Sequence, residues 1–237
     1  MELHALLESA DAPDALVAEV KEAELEFDAA WARVARADHR LWLAAVGGTP
    51  VEVLVEATAA AVLTAVDTFT EAPEPVVRAL ELSVGGAEPA ELLAAAEACE
   101  AVAVSGFGAG GYRSAAEPGS AEAARAAALV ARGAEGLAAG EAQREALRLD
   151  QARARSAYLG VGVQVALSSP EGPARLDVLA AAGDPAQGAF LFVVAACAEA
   201  VRESARAVAA GNPRADAAEA SALEDLDRVV RRAIEES

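Results

Sequence analysis

The sequence predicts an all-α fold, an antiparallel multi-helix bundle of about nine helices, on three observations. Alanine, the strongest helix former, accounts for 67 of the 237 residues. The larger apolar residues recur at three- and four-residue steps, the spacing of one helix face, and period-two alternation is nearly absent. Finally, a junction of glycine, a capping residue and proline occurs three times, as Gly48-Thr49-Pro50, Gly183-Asp184-Pro185 and Gly211-Asn212-Pro213. Glycine takes the left-handed conformation that closes a helix. The Thr, Asp or Asn side chain then accepts from a free N–H of the next helix, and proline fits its first position. Gly85-Gly86-Ala87-Glu88-Pro89 is a looser version of the same corner. The corners are spaced too unevenly for a helical repeat array.

In chain order, helices are expected over 2–9, 13–46 (with Asp38 as the candidate break), 50–69, 75–84, 89–104, 120–138, 140–168, 173–182 with 185–210, and 213–236. In the third of these, Val51, Leu54, Val55, Thr58, Val62, Val66 and Phe69 share one face. Leu147, Ala154, Tyr158, Val161 and Val165 do so later, as do Phe190, Val194, Cys197, Val201 and Val208, and then Leu223, Leu226, Val230 and Ile234. Ala101 to Val104 is the one alternating stretch. Because 89–100 is plainly helical, Val102 and Val104 read as that helix's last turn. The extended segment 105–119 is the candidate seam in what otherwise reads as one α-helical domain over 1–237. The hydrophobic fraction of 54% overstates the material for a core, since alanine makes up more than half of it. Alanine at contact positions compensates, because it lets helices approach at the low end of the ~8–10 Å range.

Charge removes several function classes. The net charge is −19, with 38 acidic against 19 basic residues. Such a surface repels phosphate backbones and anionic membranes, so neither nucleic acid nor a membrane surface is expected as a partner. A basic protein would be attracted, although solubility alone also accounts for an acidic surface. Residues 1–30 hold nine carboxylates against Lys21 alone, and Glu19, Glu22 and Glu26 are the candidate partner-binding residues there. The competing reading is a solvated helix face. Arg144, Arg148, Arg153 and Arg155 interleave with Glu141, Glu145 and Asp150. That block reads as a face with internal ion pairs, or as one that receives the acidic N-terminal helix within the fold or from a second copy, which would make a homodimer. Eighteen arginines against Lys21, with Ile234 the lone isoleucine, fit the coding bias of a GC-rich genome and carry no functional reading. No signal peptide is visible, and the longest apolar runs fall short of the ~20 residues of a membrane span, so a cytoplasmic protein is expected.

Chemistry-bearing patterns are few. Residues 106–111 satisfy GxGxxG, with Arg113 following, and such a loop can bring backbone N–H groups to a pyrophosphate. A dinucleotide fold needs several parallel strands and no second strand is found, so a linker is favoured, with an anion-binding loop as the minor reading. Trp31, His39, Arg40 and Trp42 fall within twelve positions. On one continuous helix they would line a groove where a histidine titrates near neutral pH. With Gly106, Gly108, Gly111 and Arg113 they make a candidate ligand pocket, against the simpler reading of an aromatic core anchor. Cys99 and Cys197 sit in apolar helical patterns and read as buried thiols. Glu-x-x-His, His-Glu-x-x-His, a Walker loop and Gly-x-Ser-x-Gly are all missing. No catalytic residue, metal ligand or cofactor is assigned.

From about 54 to 137 the order of features resembles a family of immunity proteins from bacterial polymorphic-toxin systems. An Ala-rich helix ends in Val62, Leu63 and Phe69. A proline-bearing break with arginine follows at Pro73, Pro75 and Arg78, then Ala79-Leu80-Glu81 and further Ala-rich helices. The resemblance implies an all-α, non-catalytic protein that sequesters a toxin by surface complementarity. The sequence as a whole is thus expected to encode a non-catalytic, acidic, α-helical interaction protein of the immunity or regulatory-partner type. The alternatives are a small-molecule binding or enzymatic protein using the pocket above, and a homo-oligomeric structural subunit.

Overall fold

The computed structural model describes residues 2–107, 118–138, 185–210 and 212–237. These residues form ten helices and no strand: α1 (Leu3–Ser9), α2 (Asp14–Glu22), α3 (Phe27–Arg33), α4 (Ala37–Val46), α5 (Val51–Val66), α6 (Glu74–Val84), α7 (Pro89–Phe107), α8 (Ser120–Ala138), α9 (Pro185–Ala209) and α10 (Ala215–Glu235). The expected all-α bundle is what the chain adopts. The helices expected over 140–168 and 173–182, and with them the arginine block, lie outside the described residues.

The largest departure from expectation is the stretch 13–46, which forms three helices instead of one with a break near Asp38. Helix α2 closes in a Schellman turn, in which Leu25 N–H donates to Val20 C=O and Glu24 N–H to Lys21 C=O. Glu24 occupies the left-handed position, φ 49°, that glycine usually fills. Glu22 and Glu26 would stand one turn apart in a continuous helix, where like charges repel. The second break, at Val34–Arg36, follows from a distant side chain. In a continuous helix the carbonyls of Trp31 and Val34 would accept from residues 35 and 38. Here the buried guanidinium of Arg40 donates to both. Asp11, φ 55°, closes α1 in the same way as Glu24 closes α2, with Ala12 N–H donating to Leu7 C=O.

The corners behave as expected in part. Gly48 is left-handed, φ 88°, and closes α4, with Thr49 N–H donating to Ala44 C=O. Thr49 makes no side-chain cap, however, and Pro50 is itself the N-cap of α5. Pro50 occupies that place because its carbonyl accepts the first helical bond, from Leu54. At the last corner Asn212 does receive a backbone N–H, that of Arg214 at 2.9 Å, and α10 begins only at Ala215. Pro89 opens α7 as expected, with Glu91 reaching back to Glu88 N–H at 3.4 Å as in a capping box. Residues 183 and 184 lie outside the described set.

Helices α6 and α7 form an antiparallel hairpin across Gly85–Gly86, tied by Cys99 Sγ donating to the Pro75 carbonyl at 3.2 Å. α7 packs on α8, and Arg132 of α8 makes a two-armed pair with Glu100 of α7, both bonds at 3.1 Å. α8 and α9 also run antiparallel, since Gly119 meets Ala207, Arg125 meets Glu203, Gly133 meets Cys197 and Gly136 meets Val193. α9 packs in addition on α4, α5 and α10. One continuous core extends from Leu3 to Val230, and alanine supplies about half of its members, most densely on α8. Burial there does not depend on large side chains, because an Ala-faced helix forfeits little area when its neighbour is close. Val208, expected on the core face of α9, is 42% exposed. It lies in the last turn, past the point where Gly119, just ahead of α8, reaches α9 at Ala207. Both cysteines are free and buried, as expected. Among the described residues no helix is long and apolar enough to cross a membrane.

Candidate functional site

Helix α4 collects the chemistry. All nine residues from Ala37 to Ala45 are buried, three of them charged or titratable. Arg40, only 1% exposed, makes a two-armed ion pair with Asp227 of α10, Nε to Oδ1 at 2.5 Å and Nη2 to Oδ2 at 2.9 Å. Its remaining N–H groups take the Trp31 and Val34 carbonyls, and its Cζ lies 4.7 Å from the centroid of the Trp31 ring. Trp31 stacks on Phe27 with centroids 6.0 Å apart, and its Nε1 donates to Glu235 at 3.0 Å. One guanidinium thereby fastens the end of α3, the middle of α4 and the flank of α10.

A second set of charges runs along α9. Asp38 accepts two hydrogen bonds from Arg36, at 3.1 and 2.9 Å, and Arg202 stands 3.7 Å away. Burial works against the Asp38 carboxylate, but the Arg36 bonds and the charges of His39, Arg36 and Arg202 outweigh it and hold its pKa below the usual value. Arg36 rises correspondingly, mainly through its bond to Asp38. Arg202 also pairs with Glu199 at 3.1 Å. One turn on, Arg206 reaches Glu203 at 2.7 Å, Glu219 at 3.4 Å and Glu199 at 3.7 Å, while Arg125 approaches Glu203 at 3.6 Å. Burial dominates at Glu203 and raises its pKa despite both arginines. His39, 5% exposed, lies among Asp38, Arg36, Glu19 and Arg202, and burial lowers its pKa.

Of the candidate pocket, the residues that the structure describes are placed as follows. Trp31 and Arg40 are brought into contact, but they fill each other's space. Trp42 is buried in the core and His39 is enclosed. The four do not share a helix, because Val34–Arg36 intervenes. Gly106 lies in the last turn of α7, so the glycine pattern begins inside a helix and follows no strand. α7 packs against α6 and α8, whereas α4 packs against α1, α3, α5, α9 and α10. Gly108, Gly111 and Arg113 lie outside the described residues. Among the described residues no three His, Cys, Asp or Glu side chains are grouped to hold a metal ion. Two open grooves are present. One of about 310 Å³ runs between α1 and α2 beside Glu8, Asp14 and Lys21, and the other, of about 500 Å³, between α6 and α7 beside Pro75, Arg78 and Ala94.

Of the candidate partner residues, Glu19 is half-buried with Arg33 at 3.7 Å, and Glu22 and Glu26 are exposed. Sequence reasoning missed Asp227, Arg202, Glu203 and Glu235. Asp227 carried a readable signal, because it lies on the same face as Leu223, Leu226 and Val230, where a charge demands a buried partner. Compared with protein-family models, with curated proteins and with solved structures, the chain matches none.

Proposed function

We propose that this is a non-catalytic interaction protein whose α2–α3 face takes a basic protein partner, in the manner of an immunity or regulatory protein. The observation that carries the reading is a contrast in how charge is used. Of the four buried carboxylates among the described residues, Asp38, Glu203 and Asp227 are each met by arginine. Across the α2–α3 turn, Glu22, Glu24, Glu26 and Asp28 are exposed and pair with no described cation. These four lie at the end of α2, in the turn that follows and at the start of α3, which the Arg40 clasp fastens at Trp31, so their field has a fixed origin, which favours steering of a cationic partner.

The test compares two fourfold charge reversals with equal change in net charge. One is E22K/E24K/E26K/D28K; the control, E52K/E56K/D67K/E71K, alters exposed positions elsewhere. A basic protein recovered from the native host in a stoichiometric complex should lose affinity by ~10-fold or more with the first variant and much less with the second. Equal losses would reduce the surface to bulk charge, and no loss with either would refute the reading.

A further inference from the structure

The imidazole of His39 is the one titratable group on α4 whose placement the charge network does not explain. Its Nδ1 is buried with no hydrogen-bond partner, whereas Asp38 before it and Arg40 after it are both fully engaged. Charged groups face it from each side. Arg36 and Asp38 come from its own segment, Glu19 from α2 and Arg202 from α9. Glu19 is engaged by Arg33, and Arg202 by Glu199 and Asp38. An added proton would therefore place a third cation beside two guanidiniums, on a side chain only 5% exposed.

The same helix is the seat of the N-terminal segment. α1 and α3 pack on the body through α4, and α2 packs on α1. Trp31 to Glu235 is a further tie, on the surface. We propose that His39 is an acid-sensitive latch: uncharged, it lets α1–α3 seal over α4, and on taking up a proton it loosens that attachment while α5–α10 stay packed. Relief for a buried imidazolium lies on the α2 side, where Glu19 is half-exposed and is the one carboxylate that can move toward solvent with it. Burial, which holds the proton off in the closed form, sets the direction. The closed-state pKa lies below the ordinary imidazole value of 6.5, so opening is driven as pH falls below 6.5 and the effect levels off once the closed form also protonates.

The latch is independent of the partner reading, and its test contains no partner. Hydrogen exchange, expressed as protection factors, is followed on the full chain at pH 7.5 and 5.5 in a His4→Gln background that leaves one histidine. Protection of peptides within 3–33 should fall by up to about tenfold, the protonation ratio of a group of pKa 6.5 at pH 5.5, with little change in α8 and α9. His39→Gln, which cannot take up the proton, should abolish the pH dependence. Unchanged protection of 3–33, or the same fall in His39→Gln, would overturn the latch. Should that variant fail to fold, the imidazole titration followed by NMR in the His4→Gln background decides: a midpoint at or above 6.5 overturns it, and one below supports it.

Discussion

Replacing Asp227 by asparagine keeps the shape of the buried pair and removes its charge. Arg40 would then hold a guanidinium that is 1% exposed against two backbone carbonyls and a neutral amide. Breaking a buried pair from one side costs ~3–5 kcal/mol, because the remaining charge stays desolvated. At roughly 2–4 °C per kcal/mol for a chain of this size, the melting temperature should drop by ~6–20 °C. Urea unfolding followed by circular dichroism measures the loss, and it should persist in 0.5 M salt, since a buried pair is screened little. The double variant R40M/D227L removes both charges and should recover part of what D227L alone loses. Recovery should stop short of the native value by ~1–3 kcal/mol for each carbonyl left unpaired, those of Trp31 and Val34. An Asp227→Asn loss under ~1 kcal/mol, or additive effects of the two sites, would refute the clasp as the element that orders α3, α4 and α10.

Three further outcomes follow from the geometry. Gly119→Ala combines φ 90° with a Cβ that would overlap the Ala207 carbonyl oxygen, and should cost ~2–5 kcal/mol, against ~1–2 for Gly86→Ala, which has φ 69° and open space around it; thermal melts that reverse this order would contradict the α8–α9 contact. Burial pushes both Cys99 and Cys197 up to about 12, so neither should react with a thiol reagent at pH 8 until urea unfolds the chain, and fast native labelling would show the packing to be wrong. Burial raises the Glu203 pKa above 4.5, so its protonated form stabilises the fold fully below pH 4.5 and that contribution is lost as pH rises through the folded value; the stability of the native chain relative to Glu203→Gln should therefore shrink as pH climbs from 4.5, and a difference that grew instead would reverse the assignment.

Helix content and parts of the corners were legible because they rest on local rules. Gly48 and Pro89 act within a few residues of themselves, and a spacing of three and four residues is visible in any window. The divisions of 13–46 were not legible, for two different reasons. Glu24 takes a left-handed conformation that its side chain disfavours, so no residue preference announces it. The break at Val34–Arg36 depends on Arg40 and, through it, on Asp227, 187 positions away. Grouping Trp31, His39, Arg40 and Trp42 on one face required a single helix over 31–42, and the chain divides there because a guanidinium replaces the helical donors.

That substitution bears on how an alanine-rich bundle settles on one arrangement. Faces such as Ala123, Ala124, Ala127 and Ala131 on α8 offer nearly identical contacts if the neighbouring helix slides by one turn. Leucine or phenylalanine knobs would oppose such a slip; methyl groups oppose it weakly. The buried arginines do not tolerate it. A shift of ~5.4 Å between α4 and α10 would carry Asp227 out of reach of Arg40, and between α8 and α9 it would part Arg125 from Glu203. Buried ion pairs contribute little net stability, but each requires one geometry. In this chain such pairs, each with at least one buried member, stand where the alanine faces leave the register open: Arg40 with Asp227 between α4 and α10, Asp38 with Arg202 between α4 and α9, Glu203 with Arg125 between α8 and α9, and Glu100 with Arg132 between α7 and α8. The double variant R40M/D227L separates the two roles, since its loss should be no more than the two unpaired carbonyls account for while its amide spectrum broadens from exchange between registers of α10.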